Sequence, residues 1–245
     1  MDFSIEEMTM NAWPSIQTMV FDGWIIRMAK GYTKRANSVN PIYSFENNII
    51  EKIKYCEKIY RNNNLPVIFK IIQCDEHKNI DKILDNLEYE KIDLTSVQIH
   101  NNIKQISKIQ NGIIVNSYFS DDWKNCFYEC NGLKDLCLIK TIETMLGNIK
   151  YDVIAVQKKE NGKSIGCGYG VIERGFVGLF DIIVNKEYRN KGYGKEIVEA
   201  ILSKANENGI EQAHLSVVDN NVFAKKLYGK IGFNEIYKYW YRKKE

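Results

Sequence analysis

Hydrophobic and polar positions in the C-terminal half of the chain predict a close succession of helices and strands. Ser-Asp-Asp at residues 120–122 is typical of a helix start, and apolar residues at helical spacing follow to about residue 130 and again over 136–146. Three strands, a long amphipathic helix, a strand, a helix and a closing strand come next. The predicted order is α-α-β-β-β-α-β-α-β. The strands are expected at residues 151–157, 164–173, 176–184, 213–218 and 236–241, and the two later helices at 194–208 and 221–230.

The N-terminal half contains a weaker version of the same pattern. The strand predicted at residues 67–72 lies 146 residues before the one at 213–218, and Tyr-Glu-Lys-Ile at 89–92 resembles Phe-Asn-Glu-Ile at 233–236. We interpret this similarity as a degenerate internal repeat. Further strands are expected over 21–29, after Tyr32 and over 92–99, and helices over 45–60 and 80–87.

The repeat divides the chain into two expected domains. The pattern is interrupted near residues 101–116, where Asn111 and Gly112 form a dipeptide typical of turns. We expect an N-terminal domain over residues 1–110 and a second domain over residues 111–245.

The composition narrows the classes of function. Hydrophobic residues make up 44% of the 245 positions and charged residues 27%, as in soluble globular proteins. The 34 basic and 31 acidic residues give a net charge of +3, without the concentrated basic stripe of nucleic-acid-binding domains. The N-terminus lacks the pattern of a signal peptide, and no run approaches the roughly 20 apolar residues that span a bilayer. We therefore expect a cytoplasmic protein that binds neither nucleic acid nor membranes.

The cysteines and histidines do not predict a metal site. None of the six cysteines belongs to a C-x-x-C pair. Cys126 and Cys130 are four residues apart and share a face if that stretch is helical, but none of the three histidines lies nearby in the sequence. We expect reduced thiols and no bound metal.

A glycine-rich basic loop between a strand and the longest predicted helix carries the first functional signal. Its sequence over residues 181–194 is Asp-Ile-Ile-Val-Asn-Lys-Glu-Tyr-Arg-Asn-Lys-Gly-Tyr-Gly. Unpaired amides and the positive end of the helix dipole make such a helix start an anion site. Gly192 and Gly194 leave room for a pyrophosphate, and Asn190 tolerates left-handed geometry. Positive charge is added by Arg189, Lys191 and Lys195. Alone, R-x-x-G-x-G also fits an ordinary strand-to-helix turn, and the pattern of a P-loop is absent.

A second motif follows the next strand. Residues 221–233 read N-x-x-A-x-x-L-Y-x-x-x-G-F on a predicted helix. Together, the two motifs, their order and their separation resemble the GNAT superfamily of acetyl-CoA-dependent N-acetyltransferases, over about residues 120–245. The resemblance implies an α/β (α+β) GNAT fold, with a mixed central sheet flanked by helices. Asn190 is a departure, because many members of the family have glycine there.

The resemblance also implies how acetyl-CoA is held. In the family, the strand before the loop separates from its neighbour, and its free backbone groups pair with the pantetheine arm. The loop amides hold the pyrophosphate. Asn221 would bond the pantetheine or cap its helix, or do both. The implied cofactor contacts are Ile182, Ile183, Val184, Arg189, Asn190, Lys191, Gly192, Tyr193, Gly194, Lys195, Asn221, Ala224 and Tyr228.

Three side chains are candidates for the chemistry. Tyr228 matches a tyrosine that lies near the cofactor sulfur in many members, where it would protonate the departing thiolate; otherwise it is a core aromatic. The acceptor amine must lose a proton before it attacks, and the candidate bases are Glu173 and Asp181, with water as the alternative. Asp181 stands inside an apolar run, so it should face a cleft or pair with Arg174 or Arg189.

The N-terminal half keeps the pattern of elements but not the loop. Residues 38–44, which align with the loop, lack paired glycines and carry little positive charge, so we expect no CoA site there. This half resembles the inactive repeat of tandem GNAT proteins. The Trp-, Arg-, Tyr- and Asn-rich segment at 24–41 fits either an acceptor pocket or a polar turn that joins the halves.

The sequence thus favours an N-acetyltransferase that moves an acetyl group from acetyl-CoA to a primary amine of a small molecule or peptide, by direct attack in a ternary complex. Two alternatives stay open: a non-catalytic acyl-CoA-binding or sensor module, and an acyltransferase with a larger aminoacyl or peptide substrate. Monomer and homodimer are both compatible with the closing strand, where Tyr237, Tyr239 and Trp240 fit a core or an interface.

Overall fold

The computed structural model describes residues 3–43, 48–103 and 110–245. Within these ranges the chain forms one mixed sheet with helices on both faces. The strands are β1 (Gln17–Phe21), β2 (Trp24–Met28), β3 (Val39–Pro41), β4 (Val67–Ile72), β5 (Glu90–His100), β6 (Ile113–Asn116), β7 (Asp152–Glu160), β8 (Lys163–Glu173), β9 (Phe176–Val184), β10 (Gln212–Val218) and β11 (Asn234–Lys244). The α-helices are α1 (Ser4–Ala12), α2 (Ile49–Asn62), α3 (Lys78–Asn86), α4 (Asp121–Asn131), α5 (Leu136–Gly147), α6 (Tyr193–Glu207) and α7 (Val222–Ile231).

The strand order in the sheet is nearly palindromic. It runs β1-β2-β3-β4-β11-β5-β10-β9-β8-β7-β6. If β1–β5 are matched with β7–β11, reading the order backwards gives the same arrangement, with β6 added at one edge. The pairing directions also repeat, because β3–β4 and β9–β10 are the parallel pairs. This is the internal repeat that the sequence predicts.

The last strand of each half lies among the strands of the other half. β11 pairs with β4, and β5 pairs with β10, both antiparallel, while β5 and β11 pair with each other at the centre. The sheet therefore continues through both halves. The division into residues 1–110 and 111–245 stays a prediction, and part of the proposed linker, residues 104–109, lies outside the described residues.

Most predicted elements are confirmed, including the complete α-α-β-β-β-α-β-α-β order of the second half. The strand predicted over 21–29 is found as β2, but it starts later than expected, because Asp22 and Gly23 have positive φ angles of 42° and 75° and turn the chain between β1 and β2. Helix α1 and strand β6 were not predicted. The helix expected over 45–60 is α2, and residues 44–47 lie outside the described range.

In the C-terminal half, successive side chains of a strand point to opposite faces of the sheet and pack with different helices. On β7, Ile154 and Val156 pack with α6, whereas Ala155 between them packs with α4 and α5. The predicted apolar face of α6 is buried throughout. Trp123 of α4 is also buried, and its indole nitrogen donates to the carbonyls of Val156 and Gly168 at 3.0 and 3.2 Å. These bonds tie α4 to β7 and β8, and β8 pairs with β9, which carries the candidate site.

His214 on β10 gives the fold a pH-dependent stability. Its ring lies between Phe176 and Phe180, with centroid distances of 6.3 and 6.1 Å, and burial lowers its pKa from 6.5 to about 4. Because the unfolded chain binds this proton first, the free energy of unfolding should fall as pH decreases from about 6.5 to about 4, by up to about 3 kcal/mol. Urea unfolding across this window should show a weaker pH dependence in His214→Gln. Parallel profiles for the two proteins would contradict this assignment.

Candidate functional site

A β-bulge in β9 places Asp181 at the centre of the candidate site. Cys167 pairs with Ile183 and Tyr169 with Phe180, so Asp181 and Ile182 together face Gly168. Asp181 has a φ of +48°, as the extra residue of such a bulge often requires. A Cβ atom at position 168 would lie 2.5 Å from Cδ1 of Ile182. Glycine at this position therefore lets the bulged strand approach its neighbour.

Strands β9 and β10 separate just before this bulge. Their parallel pairing ends at Leu179 and Leu215, whereas β10 continues beside β5 as far as Val218. The edge of β9 beyond Leu179 is thus open towards β10, at the position expected for a pantetheine arm. Among the three expected strand contacts, the carbonyl of Val184 already accepts from Nε of Arg189 at 3.0 Å.

The loop after β9 forms a cradle of free amides. The backbone N–H groups of residues 190–194 donate no hydrogen bond within the described part of the chain. Asn190 and Gly192 are both left-handed, with φ angles of 64° and 88°. No atom lies within 4 Å of a Cβ built on Gly192, so the space in front of it is open. Unpaired amides at the start of α6 are what an anion requires.

Positive side chains surround this cradle, as the sequence predicts. Lys191 and Lys195 are exposed, and Lys195 pairs with Glu199 one turn along α6 at 3.1 Å. Lys163, in the β7–β8 hairpin, was not predicted. Its amino group lies 5.9 Å from the ring centre of Tyr188 in the same loop, and that of Lys191 lies 5.4 Å from it. The turn between β7 and β8 thus adds a cation to the site.

A cavity of about 460 Å³ adjoins the open strand edge. From the C-terminal half it is lined by residues 179–182 and 216–218 and by three residues of α7. From the N-terminal half it is lined by residues 32–35, and strands β5 and β11 complete the wall. The three α7 residues are Asn221, Ala224 and Tyr228. The cavity therefore joins expected cofactor contacts to side chains from both halves.

Tyr228 is buried at the wall of this cavity. Its ring contacts Phe233 edge-on at 5.9 Å, and its hydroxyl forms no hydrogen bond with any described residue. Burial, followed by the negative charge of Asp181, raises its pKa to about 12. An ordinary phenol, with a pKa near 10, would match the pKa of a leaving thiol more closely than this one does. At neutral pH Tyr228 is a hydrogen-bond donor.

Asp181 pairs with a residue of the N-terminal half. Its Oδ1 accepts from Nη2 of Arg35 at 2.8 Å, and its Oδ2 is buried without a hydrogen-bond partner among the described residues. The predicted partners, Arg174 and Arg189, are wrong. Arg174 pairs with Glu7 at 2.5 Å, and the side chain of Arg189 bonds within its own loop. No local feature of the sequence indicates the contact with Arg35, which lies 146 positions away.

The structure does not bring Glu173 to this cavity. It lies at the far end of β8, opposite Phe176, and it is buried. Its two oxygens accept from Nδ2 of Asn11 at 3.0 and 3.2 Å, and Nε of Arg174 lies 3.4 Å away. Asp181 is thus the one of the two candidate bases that lines the same cavity as Tyr228.

Asn221 has the helix-capping contact that its position allows. Its side-chain oxygen accepts from the amide of Ala224 at 3.2 Å, at the start of α7. The side chain is exposed beside the cavity, so the cap leaves its amide nitrogen available. The exposed Val222 and Phe223 follow it.

The segment over residues 29–37 is held rigidly where it meets the cavity. Oδ1 of Asn37 accepts from the amides of Ala29 and Gly31 at 2.7 and 2.9 Å. The buried Arg27 donates to the carbonyl of Arg35 at 2.6 Å, and Nε1 of Trp13 donates to Thr33 at 2.9 Å. The two interpretations left open for this segment are therefore compatible, since it joins the halves and also lines the cavity.

Neither a membrane-spanning helix nor a metal-binding cluster occurs in the part of the chain that the structure describes. No helix in residues 3–43, 48–103 or 110–245 has the length and apolar character needed to cross a membrane. The same ranges contain no group of three or more His, Cys, Asp or Glu side chains arranged to hold a metal ion.

Comparisons with known proteins agree with this geometry. A protein-family model described as "Probable histone acetyltransferase Rv0428c C-terminal" matches residues 3–242. The Bacillus subtilis protein described as "Uncharacterized N-acetyltransferase YobR" is 30% identical over 248 residues, which cover 97% of this chain and 96% of that protein.

Two solved structures share the arrangement of elements. A GCN5-related N-acetyltransferase from Kribbella flavida has a TM-score of 0.70 at 11% identity, over 94% of this chain and 89% of that one. A tandem GNAT protein from the clavulanic acid biosynthesis pathway has a TM-score of 0.64 at 10% identity, over 84% of this chain and 75% of that one. At these identities the likeness concerns the fold alone.

Proposed function

The chain belongs to the GNAT family of N-acetyltransferases, and on that premise we propose that it transfers the acetyl group of acetyl-CoA to a primary amine of a small molecule or peptide. Both substrates would be bound together, and the amine would attack the thioester directly. One observation carries the proposal: the open edge of β9 and Tyr228 adjoin one cavity, and β9 runs on into the loop with the cradle of free amides.

The residues of the loop, of the open edge of β9 and of the start of α7 are suited to hold acetyl-CoA. The amides of residues 190–194 would hold the pyrophosphate, with Arg189, Lys191 and Lys195 supplying positive charge. Backbone groups of Ile182 and Ile183, and the side-chain amide of Asn221, would bond the pantetheine arm. Val184 would contribute through groups other than its carbonyl, which Arg189 occupies. No metal is needed for any of these contacts.

Asp181 and Tyr228 would divide the proton transfers between them. Asp181 would accept a proton from the acceptor ammonium, directly or through water. The neutral nitrogen then bonds to the thioester carbonyl carbon as the carbon–sulfur bond breaks, and sulfur leaves with the electron pair. The nitrogen releases its second proton to water, which replaces the proton that Tyr228 gives to sulfur. Tyr228, with its raised pKa, would stabilise the departing thiolate by a hydrogen bond and deliver a proton only late. Glu173, outside the cavity, has no part in this proposal.

The two buried carboxylates allow a matched test. We expect Asp181→Asn to lower kcat/KM for amine acetylation by about 100-fold, since general base catalysis contributes that order of magnitude. Glu173→Gln should leave it within about threefold of wild type, because Glu173 does not line the cavity. Thiol release from acetyl-CoA, measured over a panel of primary amines, gives both values. Equal losses in the two variants would remove Asp181 from the proposed role, and no thiol release with any amine would contradict the proposed reaction.

A further inference from the structure

We propose that the acceptor binds in the cavity between the two halves as the ammonium of a compact amine with an aromatic or apolar body. Its anchors are Oδ2 of Asp181 and the hydroxyl of Tyr241. This inference rests on the proposed function, because it names the acceptor class for the same site.

The carboxylate of Asp181 can accept hydrogen bonds from a second cation in addition to Arg35. Arg35 occupies Oδ1 at 2.8 Å, and Oδ2 is buried without a hydrogen-bond partner among the described residues. A carboxylate offers about four lone-pair positions, so the guanidinium leaves acceptor capacity unused. A buried oxygen of this kind needs a donor, and an ammonium supplies up to three N–H groups.

Tyr241 presents a second such oxygen. Its side chain is buried, and its hydroxyl has no hydrogen-bond partner of ordinary geometry among the described residues. The neighbouring ring of Tyr239 stands edge-on to it at 5.6 Å between centroids, and both tyrosines line the cavity. They come from β11, which reaches this position only because the last strands of the halves are exchanged. A phenolic oxygen accepts a hydrogen bond from an ammonium.

The walls suit an aromatic or apolar body. Tyr32, Phe180 and Tyr228 line the cavity together with Tyr239 and Tyr241. Aromatic faces attract a cation and also pack against flat apolar groups. The charged pairs in the cavity are balanced, because Arg35 and Lys34 each neutralise one carboxylate. Because the lining carries no net negative charge, it does not favour a strongly cationic chain.

The rim of the cavity favours a small acceptor. Lys34, from the braced N-terminal loop, pairs at 2.8 Å with Asp93 of β5, and both side chains are partly exposed. This pair links the loop to the sheet beside the cavity, and a folded protein or a broad peptide would have to displace it. A monoamine carried on a ring passes such a rim.

The experiment measures binding to the full chain, with and without CoA, by calorimetry. The probes are 2-phenylethylamine, its neutral counterpart 2-phenylethanol, and a lysine-containing pentapeptide. We expect the amine to bind at least about tenfold more tightly than the alcohol, because a charge-assisted hydrogen bond to Asp181 is lost in the alcohol. The pentapeptide should bind more weakly than the amine.

A conservative variant tests Tyr241. Tyr241→Phe should lower the affinity for 2-phenylethylamine by about three- to tenfold, which corresponds to the loss of one hydrogen bond, and leave the affinity for CoA unchanged. Tyr89→Phe is the matched control, since Tyr89 is also buried but its hydroxyl donates to Glu57 at 2.9 Å, away from the cavity. It should bind the amine as wild type does.

The outcomes separate this inference from the proposed function. Equal affinity for amine and alcohol, binding of neither, tighter binding of the pentapeptide, or wild-type affinity in Tyr241→Phe would each overturn the inference. If CoA still binds in those cases, the proposed function survives. If the wild-type chain does not bind CoA at all, that result would instead contradict the proposed function itself.

Discussion

A chain with aspartate at both Gly192 and Gly194 is expected to bind acetyl-CoA at least about 100-fold more weakly than wild type. Gly192 is left-handed with a φ of 88°, so any side chain there is strained, and the space in front of it is open. Gly194 lies in the first turn of α6, beside the free amides. Two carboxylates at these positions would repel a pyrophosphate and compete for the same N–H groups. Equilibrium dialysis with labelled acetyl-CoA measures the affinity.

A matched pair of glycines controls for damage to the fold. Gly132 is left-handed with a φ of 66°, Gly147 is helical, and a Cβ on either meets no atom within 4 Å. Both lie in or beside α4 and α5, outside the cradle. Gly132→Asp with Gly147→Asp should keep wild-type affinity. Wild-type affinity in the Gly192 and Gly194 variant would contradict the assignment of the cradle.

Tyr228→Phe is expected to lower kcat by about 100-fold, within the range that a positioned proton donor contributes. Acetyl-CoA affinity should change little, because the hydroxyl makes no bond within the described chain and the ring keeps its contact with Phe233. Steady-state thiol release gives kcat, and dialysis gives the affinity. Since the pKa of Tyr228 is about 12, the wild type should show no loss of activity from its ionisation between about pH 7 and pH 10.

The control for this variant is again Tyr89→Phe, which removes a buried tyrosine hydroxyl outside the cavity. Its kcat should stay near the wild-type value. If Tyr228→Phe also keeps the wild-type kcat, then Tyr228 is a core aromatic, the alternative that its position in an amphipathic helix allows.

Local features of the sequence predicted the cradle and its helix. The spacing of apolar residues along α6 fixes one buried face, and the left-handed Asn190 and Gly192 have the residue types that such angles favour. The expected GNAT fold is confirmed by the mixed sheet, its flanking helices and its structural neighbours. Neighbouring residues carry the signal for the cradle and its helix, whereas the fold follows from the motifs at 181–194 and 221–233 taken together.

Contacts between the halves could not be predicted in this way. Arg35 and Asp181 are 146 positions apart, and the periodicity of β5 and β11 is the same whether or not the strands are exchanged. Helix α1 escaped prediction because no side chain caps its start and because the buried Glu6 interrupts its apolar face. Glu6 is stabilised by Lys70 and by the hydroxyl of Tyr237 at 2.8 Å, both distant in sequence.

In the proposed function, one half of the chain holds acetyl-CoA and the other completes the acceptor side. A calorimetric titration of the full chain with acetyl-CoA tests this division. We expect one binding site per chain, because the cradle of free amides at residues 190–194 has no glycine-rich counterpart at residues 38–43. Two sites per chain, or no binding, would contradict it.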